Sequence, residues 1–240
     1  SVEAFGVLNK LEALFARARF RPAQDETLLT LATQKLCGAL TAGVAEFFGM
    51  AEATMLDDRG WAFCRTGQQF ERASITCNAG VTIFESLARR MEKEASGAEH
   101  AVEIELSAFL RLLGSRDAYR RLYQMRAEPV PVLEMLYRNS EMQRSVRRGL
   151  GECLRLLGPQ NDDSPGMVRT REVLEGVLRF LDGIEWTDYL ARDAGGELSV
   201  MLDPRRAGEL PGVLEGIMER TLEVHEILTD GFINHQLALE

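Results

Sequence analysis

Apolar positions recur along this 240-residue chain at steps of three and four, the pattern of helices with one buried face. From Val2 to Ala18 the stripe is Phe5, Leu8, Leu11, Leu14 and Phe15, and Pro22 predicts its end. Asp25 is placed to cap a second helix running to about Met50. Asp57 or Asp58 then opens the most regular element. Phe63, Gly67, Phe70, Ser74, Cys77, Val81, Phe84, Ala88 and Met91 alternate steps of four and three. This heptad-like seam predicts a long helix packed lengthwise on a neighbour, with Gly67 and Ser74 allowing close backbone approach. Ile75, Ala79 and Ile83 give the helix a second apolar face, so it is expected to be covered on both sides.

Gly97 breaks the pattern. Helices are predicted at about 99–113 and 116–126, and Pro129 and Pro131 lead into a short helix ending near Asn139. Val146, Leu150, Cys153 and Leu157 make the next seam, and Gly158 to Gly166 reads as a linker. Val173, Val177, Phe180 and Ile184 then share one face of a long helix. Leu214, Ile217, Thr221, Val224 and Leu228 share one face of another, with Arg192 to Pro204 as a turn-rich connection. No stretch alternates convincingly with β-branched residues, so no sheet is expected. The fold class is all-α: a multi-helix bundle of long, near-antiparallel helices forming a single domain over 1–240, divisible if anywhere at 158–166. The chain starts at Ser1 without methionine and enters helical pattern at once, so a native N-terminal segment is expected to be missing.

Apolar residues make up 45% of the chain, enough for a sizeable core, and the net charge of -9 disfavours nucleic acid as a partner. No run approaches the roughly 18 apolar residues that cross a bilayer. A cytoplasmic protein without membrane association is therefore expected. Cys37, Cys64, Cys77 and Cys153 form no C-x-x-C pair and read as reduced core thiols. The charge is uneven. Between Arg111 and Arg155 ten arginines face only Asp117, Glu128, Glu134, Glu141 and Glu152, and Arg144, Arg148 and Arg155 are expected on one helix face opposite the seam. Guanidinium forks suit carboxylates and phosphates, but an internally paired or solvated face fits the same pattern.

Catalytic motifs fail on inspection. His225-Glu226 begins a zinc-protease word, but residue 229 is threonine. A di-iron Glu-x-x-His fails at both His225 and His100, whose offsets hold Leu222 and Gly97. No phosphate-binding loop or nucleophile elbow occurs, and no metal or cofactor is expected. Glu71 and Arg72 read either as an interhelical salt bridge or as contacts to a ligand or partner. Trp61 reads as a packing anchor or a stacking platform.

Asp58, Gly60, Trp61, Phe63, Gly67, Glu71, Arg72, Ala73 and Thr76 together resemble the signature of the bacterial alpha-E family. Ala118 to Tyr123, Arg144-Ser145-Val146, and Leu222, His225 and Phe232 resemble three later segments of it, in order. The chain departs from the family at Gln68, where arginine is usual, and at 138–143, where Arg-Asn-Ser-Glu-Met-Gln stands in place of an L-D-P-x-F-P stretch. The resemblance covers nearly the whole chain, as the C-terminal portion of a divergent member. It implies an accessory role beside a circularly permuted ATP-grasp ligase, with transglutaminase-like proteases and a proteasome-like β-subunit as frequent neighbours. The expected function is an interaction protein supporting amide-bond synthesis or peptide tagging. Arg120, Arg121, Arg144 and Arg148 would meet an acidic surface or ligand, Glu71 and Arg72 would order the core beside it, and Trp61 and His225 are further interaction candidates. Two alternatives stand: a catalytic half acting on peptide carboxylates through Asp58 and Glu71, completed by a partner, or a purely structural helical domain. Self-association is open.

Overall fold

The computed structural model describes residues 2–17, 26–93, 98–158, 164–193 and 195–230. Pro22, Asp25, Gly97 and Phe232, read above as punctuation or family matches, lie outside them. Two helices, α1 (Val2–Arg17) and α2 (Glu26–Thr54), pack on each other within a first unit, Ser1–Trp61. The second unit is Ala62–Glu240. The expectation that nothing is apolar enough to cross a bilayer needs correcting. Thr30–Thr54 within α2 is long and apolar enough to cross a membrane, by length and composition only, and it is almost entirely unburied in the structure. Gln34 and Lys35 interrupt the apolar run near its start.

The long seam lies on one unbroken helix, α3 (Arg59–Lys93). Asp58 opens it, its carboxylate accepting the Trp61 N–H at 3.0 Å. Phe70, Cys77, Val81, Phe84, Ala88 and Met91 are buried as the spacing predicts. Gly67 is exposed, with nothing near the place a β-carbon would occupy. On the second apolar face Ile75 is 44% exposed while Ala79 and Ile83 are partly buried against the core, so that face is covered only in part. Close approach occurs elsewhere. A β-carbon on Gly149 would stand 3.2 Å from the Gln69 carbonyl oxygen, so glycine there lets a later helix sit against the α3 backbone.

Next come α4 (Ala98–Leu112) and α5 (Arg116–Tyr123). The second stops short of the predicted 126 because Gln124 adopts a left-handed conformation, φ 52°. A short helix, α6 (Pro129–Leu133), widens into a π turn at Glu134–Arg138, where the Asn139 N–H reaches back to Glu134 O at 2.9 Å. That wide turn buries three consecutive side chains, Met135, Leu136 and Tyr137. Helix α7 (Val146–Leu156) buries Val146, Leu150 and Cys153 as predicted, together with Leu157 just beyond it.

Helices α8 (Pro165–Asp182) and α10 (Leu210–Leu228) pack together. Helix α10 buries the predicted stripe. Helix α8 buries half of its predicted stripe, Val177 with Ile184 just beyond the helix end; its inward face is otherwise Met167, Thr170, Leu174 and Leu181, with Val173 and Phe180 partly buried beside it. Phe180 sits at the margin, with the Arg220 guanidinium 4.1 Å over its ring. Between these helices, past a 3-10 turn at Trp186–Tyr189, lies a two-stranded antiparallel sheet where none was expected. It pairs β1 (Leu190–Arg192) with β2 (Leu198–Leu202) and leads into a four-residue helix, α9 (Pro204–Ala207). Leu198, Val200 and Leu202 do alternate, but too briefly to signal a strand. The Asp193 carboxylate closes the hairpin by accepting the N–H groups of Gly195 and Glu197 at 2.8 and 2.9 Å. The fold class is all-α as the sequence indicated, and one apolar cluster built on Phe84, Leu106, Phe109, Tyr137, Leu150, Trp186 and Leu214 runs through the second unit.

Candidate functional site

Helix α3 and the turn before α7 meet through a hydroxyl. Thr76, fully buried, lies 3.0 Å from its own-helix carbonyl of Arg72 and 3.0 Å from the carbonyl of Arg144. This contact fixes two arginine backbones side by side. Arg72 is half-buried, and its guanidinium is held below the ordinary arginine value, first by burial and then by the neighbouring charges of Arg144 and Arg65. Arginine does not give up its proton in proteins, so this shift reports first the cost of burying the charge and then repulsion from its two like-charged neighbours. No carboxylate among the described residues forms an ion pair with Arg72 or Arg144.

The acid on α7 is already engaged. Glu152 sits 2.6 Å from Arg155, and its carboxyl is lowered by that hydrogen bond, then by the charges of Arg155, Arg148 and Arg65. One carboxylate therefore serves several guanidinium groups. The start of α7 adds to the imbalance. Its first turn carries no acid; it carries Arg147 and Arg148, at the end of a helix whose dipole is already positive. Arg147 is matched by Asp182 through paired bonds of 2.7 and 3.1 Å. Arg148 donates to the Ser140 carbonyl at 3.2 Å and feels Glu152 only through its charge. Ser145 stands at the N-cap in extended conformation, yet its buried hydroxyl has no hydrogen-bond partner among the described residues. Arg72 and Arg144, without an ion pair to a described carboxylate, together with a helix N-terminus and a hydroxyl free of any described partner, suit an oxyanion, either a carboxylate or a phosphate.

The other sequence candidates divide. Arg144 belongs to the turn before α7 rather than to a helical face shared with Arg148 and Arg155, because the helix starts at Val146. Arg120 and Arg121 lie on α5, where Arg120 with Arg116 and Arg126 lines a separate depression of about 340 Å³. Glu71 is exposed, and neither Glu71 nor Arg72 forms the expected interhelical ion pair with a described residue. Asp58 serves as the α3 cap. Trp61 is 7% exposed with Phe48 beside it, ring centres 6.3 Å apart, and packs as an anchor. His225 is exposed and meets the Phe70 ring edge-on at 6.1 Å. The thiols divide too: Cys77 and Cys153 are buried, Cys64 is half-buried and Cys37 is exposed. Among the described residues no three His, Cys, Asp or Glu side chains gather as a metal site. Sequence reasoning missed Arg65, although it stands two helical turns before Arg72 on the same face.

A family model described as a predicted alpha-helical domain with a conserved ER motif matches residues 1–233. Glu-Arg occurs in this chain at Glu71-Arg72 and at Glu219-Arg220. No curated protein and no solved structure matches.

Proposed function

The chain belongs to the Alpha-E family, and from that premise we propose that it is a helical accessory protein of an ATP-grasp amide-ligase system. It binds an acidic surface or carboxylate-bearing ligand through the arginines between α3 and α7, and does not transform a molecule alone. The observation that carries this reading is Arg72: a half-buried guanidinium flanked by Arg144 and Arg65, with no ion pair to a described carboxylate. A cation left in this state is a standing cost that an incoming anion relieves. The partner is then the ligase, and a transglutaminase-like protease of the same system is a second client. Arg120 and Arg121 lie on another element and are not needed for this contact.

The test is capture of the purified ATP-grasp ligase by the chain at moderate salt. Arg72→Glu and the Arg144→Glu/Arg148→Glu double variant should each reduce capture at least about tenfold, since reversing a charge adds repulsion to the lost attraction. Undiminished capture by folded variants rejects this surface as the docking site. Failure of the unaltered chain to capture the ligase rejects the partner.

A further inference from the structure

We propose that a cleft between α4, the 126–129 segment and the β-hairpin is a second binding site, which takes a short peptide through a lysine side chain on its apolar stem. The cleft has a volume of about 920 Å³, within the range of sites that enclose most of a small ligand. Val102, Ala127, Pro129, Val200 and Leu202 give it apolar walls. Three carboxylates, Glu99, Glu103 and Glu128, open into it.

The charges in the cleft are not balanced from within. Arg126 approaches Glu103 only to 3.8 Å, beyond hydrogen-bonding range, and its side chain is 81% exposed. His100 stands equally far from Glu103 and is as exposed. Glu128 forms no ion pair with a described residue, and burial raises its carboxyl above the ordinary value. A carboxylate half-withdrawn from water beside hydrocarbon favours a cation that brings its own apolar stem, because the stem covers the walls while the charge meets the acids. A lysine chain has that form.

The wall is held in place before any ligand arrives. The Tyr119 hydroxyl donates to the Arg126 carbonyl at 2.7 Å and accepts the Glu128 N–H at 3.2 Å. Both bonds pin the strip that carries Glu128, and Val200 stands opposite with half its surface open. This site is independent of the arginine surface and of opposite charge, so either can fail without the other.

Isothermal titration of the full chain with acetyl-Leu-Lys-Leu-amide tests the proposal, with the norleucine analogue as the uncharged control. Saturable binding is expected for the lysine peptide, roughly tenfold tighter than for norleucine. Glu128→Gln should remove most of that preference. Val200→Lys places a cation on an exposed part of the wall and should abolish binding, with circular dichroism confirming the fold. No saturable binding by about 1 mM, equal binding of both peptides, or undiminished binding by both folded variants overturns the proposal.

Discussion

The Tyr137 ring fills the space that a β-carbon on Gly80 would need, its hydroxyl pointing at the α3 backbone. Tyr137 is fully buried in the π turn after α6, and its hydroxyl lies 3.5 Å from the Thr76 carbonyl oxygen. The widened turn and the bare glycine are thus two halves of one contact, which sets how closely the π turn approaches α3. Gly80→Ala should destabilise the protein by about 1–3 kcal/mol, the usual cost of forcing an extra methyl into a packed core. Denaturant unfolding measures it. A change within experimental error would mean that the ring moves aside freely and that the contact sets nothing.

Tyr119 is the only residue of the 118–123 segment whose side chain is fully buried, and it ties the chain where α5 ends. Burial pushes its phenol up to about 12, so it remains a donor to the Arg126 carbonyl throughout the physiological range. Tyr119→Phe should cost about 1–3 kcal/mol, since it strands one carbonyl and one N–H. It should also speed amide exchange at Glu128. Unchanged exchange there would show that the 126–128 strip is held by packing alone.

Arg147 and Asp182 join α7 to the end of α8, and their effect on stability depends on pH. The bond to Arg147 holds the Asp182 carboxyl below the ordinary aspartate value. A carboxyl depressed in the folded state stabilises above its unfolded value and loses that contribution as pH falls through the folded value. The stability difference between the parent and Asp182→Asn should therefore be present at neutral pH and shrink below the usual carboxylate range. Both side chains are over a third exposed, so the neutral difference should be at most about 1 kcal/mol. Denaturant midpoints taken across the acid range check the trend. A difference that grows toward low pH contradicts it.

The elements of the fold were legible in several helices but not in α1, where Ala4 and Val7 are buried while Phe5, Leu8 and Phe15 of the predicted stripe are exposed. The α7 and α10 stripes needed only their spacing. The α8 stripe was right at Val177 and Ile184 and off at Phe180, which looks like a core residue, and nothing nearby in sequence announces that Arg220 covers it. The seam marked Gly67 as a point of close approach; the real ones are Gly80 and Gly149, recognisable only once Tyr137 and Gln69 are placed against them. The site divides in the same way. Arg144 and Arg148 were visible as local charge, whereas the pairing of Arg144 with Arg72 joins distant parts of the chain through Thr76. The hairpin was too short to stand out from a turn-rich connection.

Thiol chemistry should follow burial. Cys77 and Cys153 are fully buried, and burial alone pushes the Cys77 thiol up to about 12. Both should resist modification in the native protein and react only on unfolding. Cys37 is exposed and should react first. Mass mapping after a short pulse of an aromatic disulfide reagent reads the order. Early labelling of Cys77 or Cys153 would mean that the α3–α7 interface opens readily.

Arg72 gives the sharpest division between stability and binding. Its guanidinium shares a half-buried position with two like charges, an arrangement that lowers the stability of the free protein. Replacing it with glutamine keeps most of the stem and removes the repulsion. In low salt, Arg72→Gln should unfold at the same temperature as the parent or higher. Phosphate should raise the parent midpoint beyond what an equal ionic strength of chloride does, because an anion bound to the folded state stabilises it by mass action. The variant should lose that excess. Chloride alone should help the parent more than the variant, since screening relieves the same repulsion less specifically. If phosphate stabilises parent and variant equally, the oxyanion does not sit between α3 and α7. If the variant instead unfolds well below the parent, Arg72 serves the packing, and its lack of a carboxylate partner has no bearing on binding.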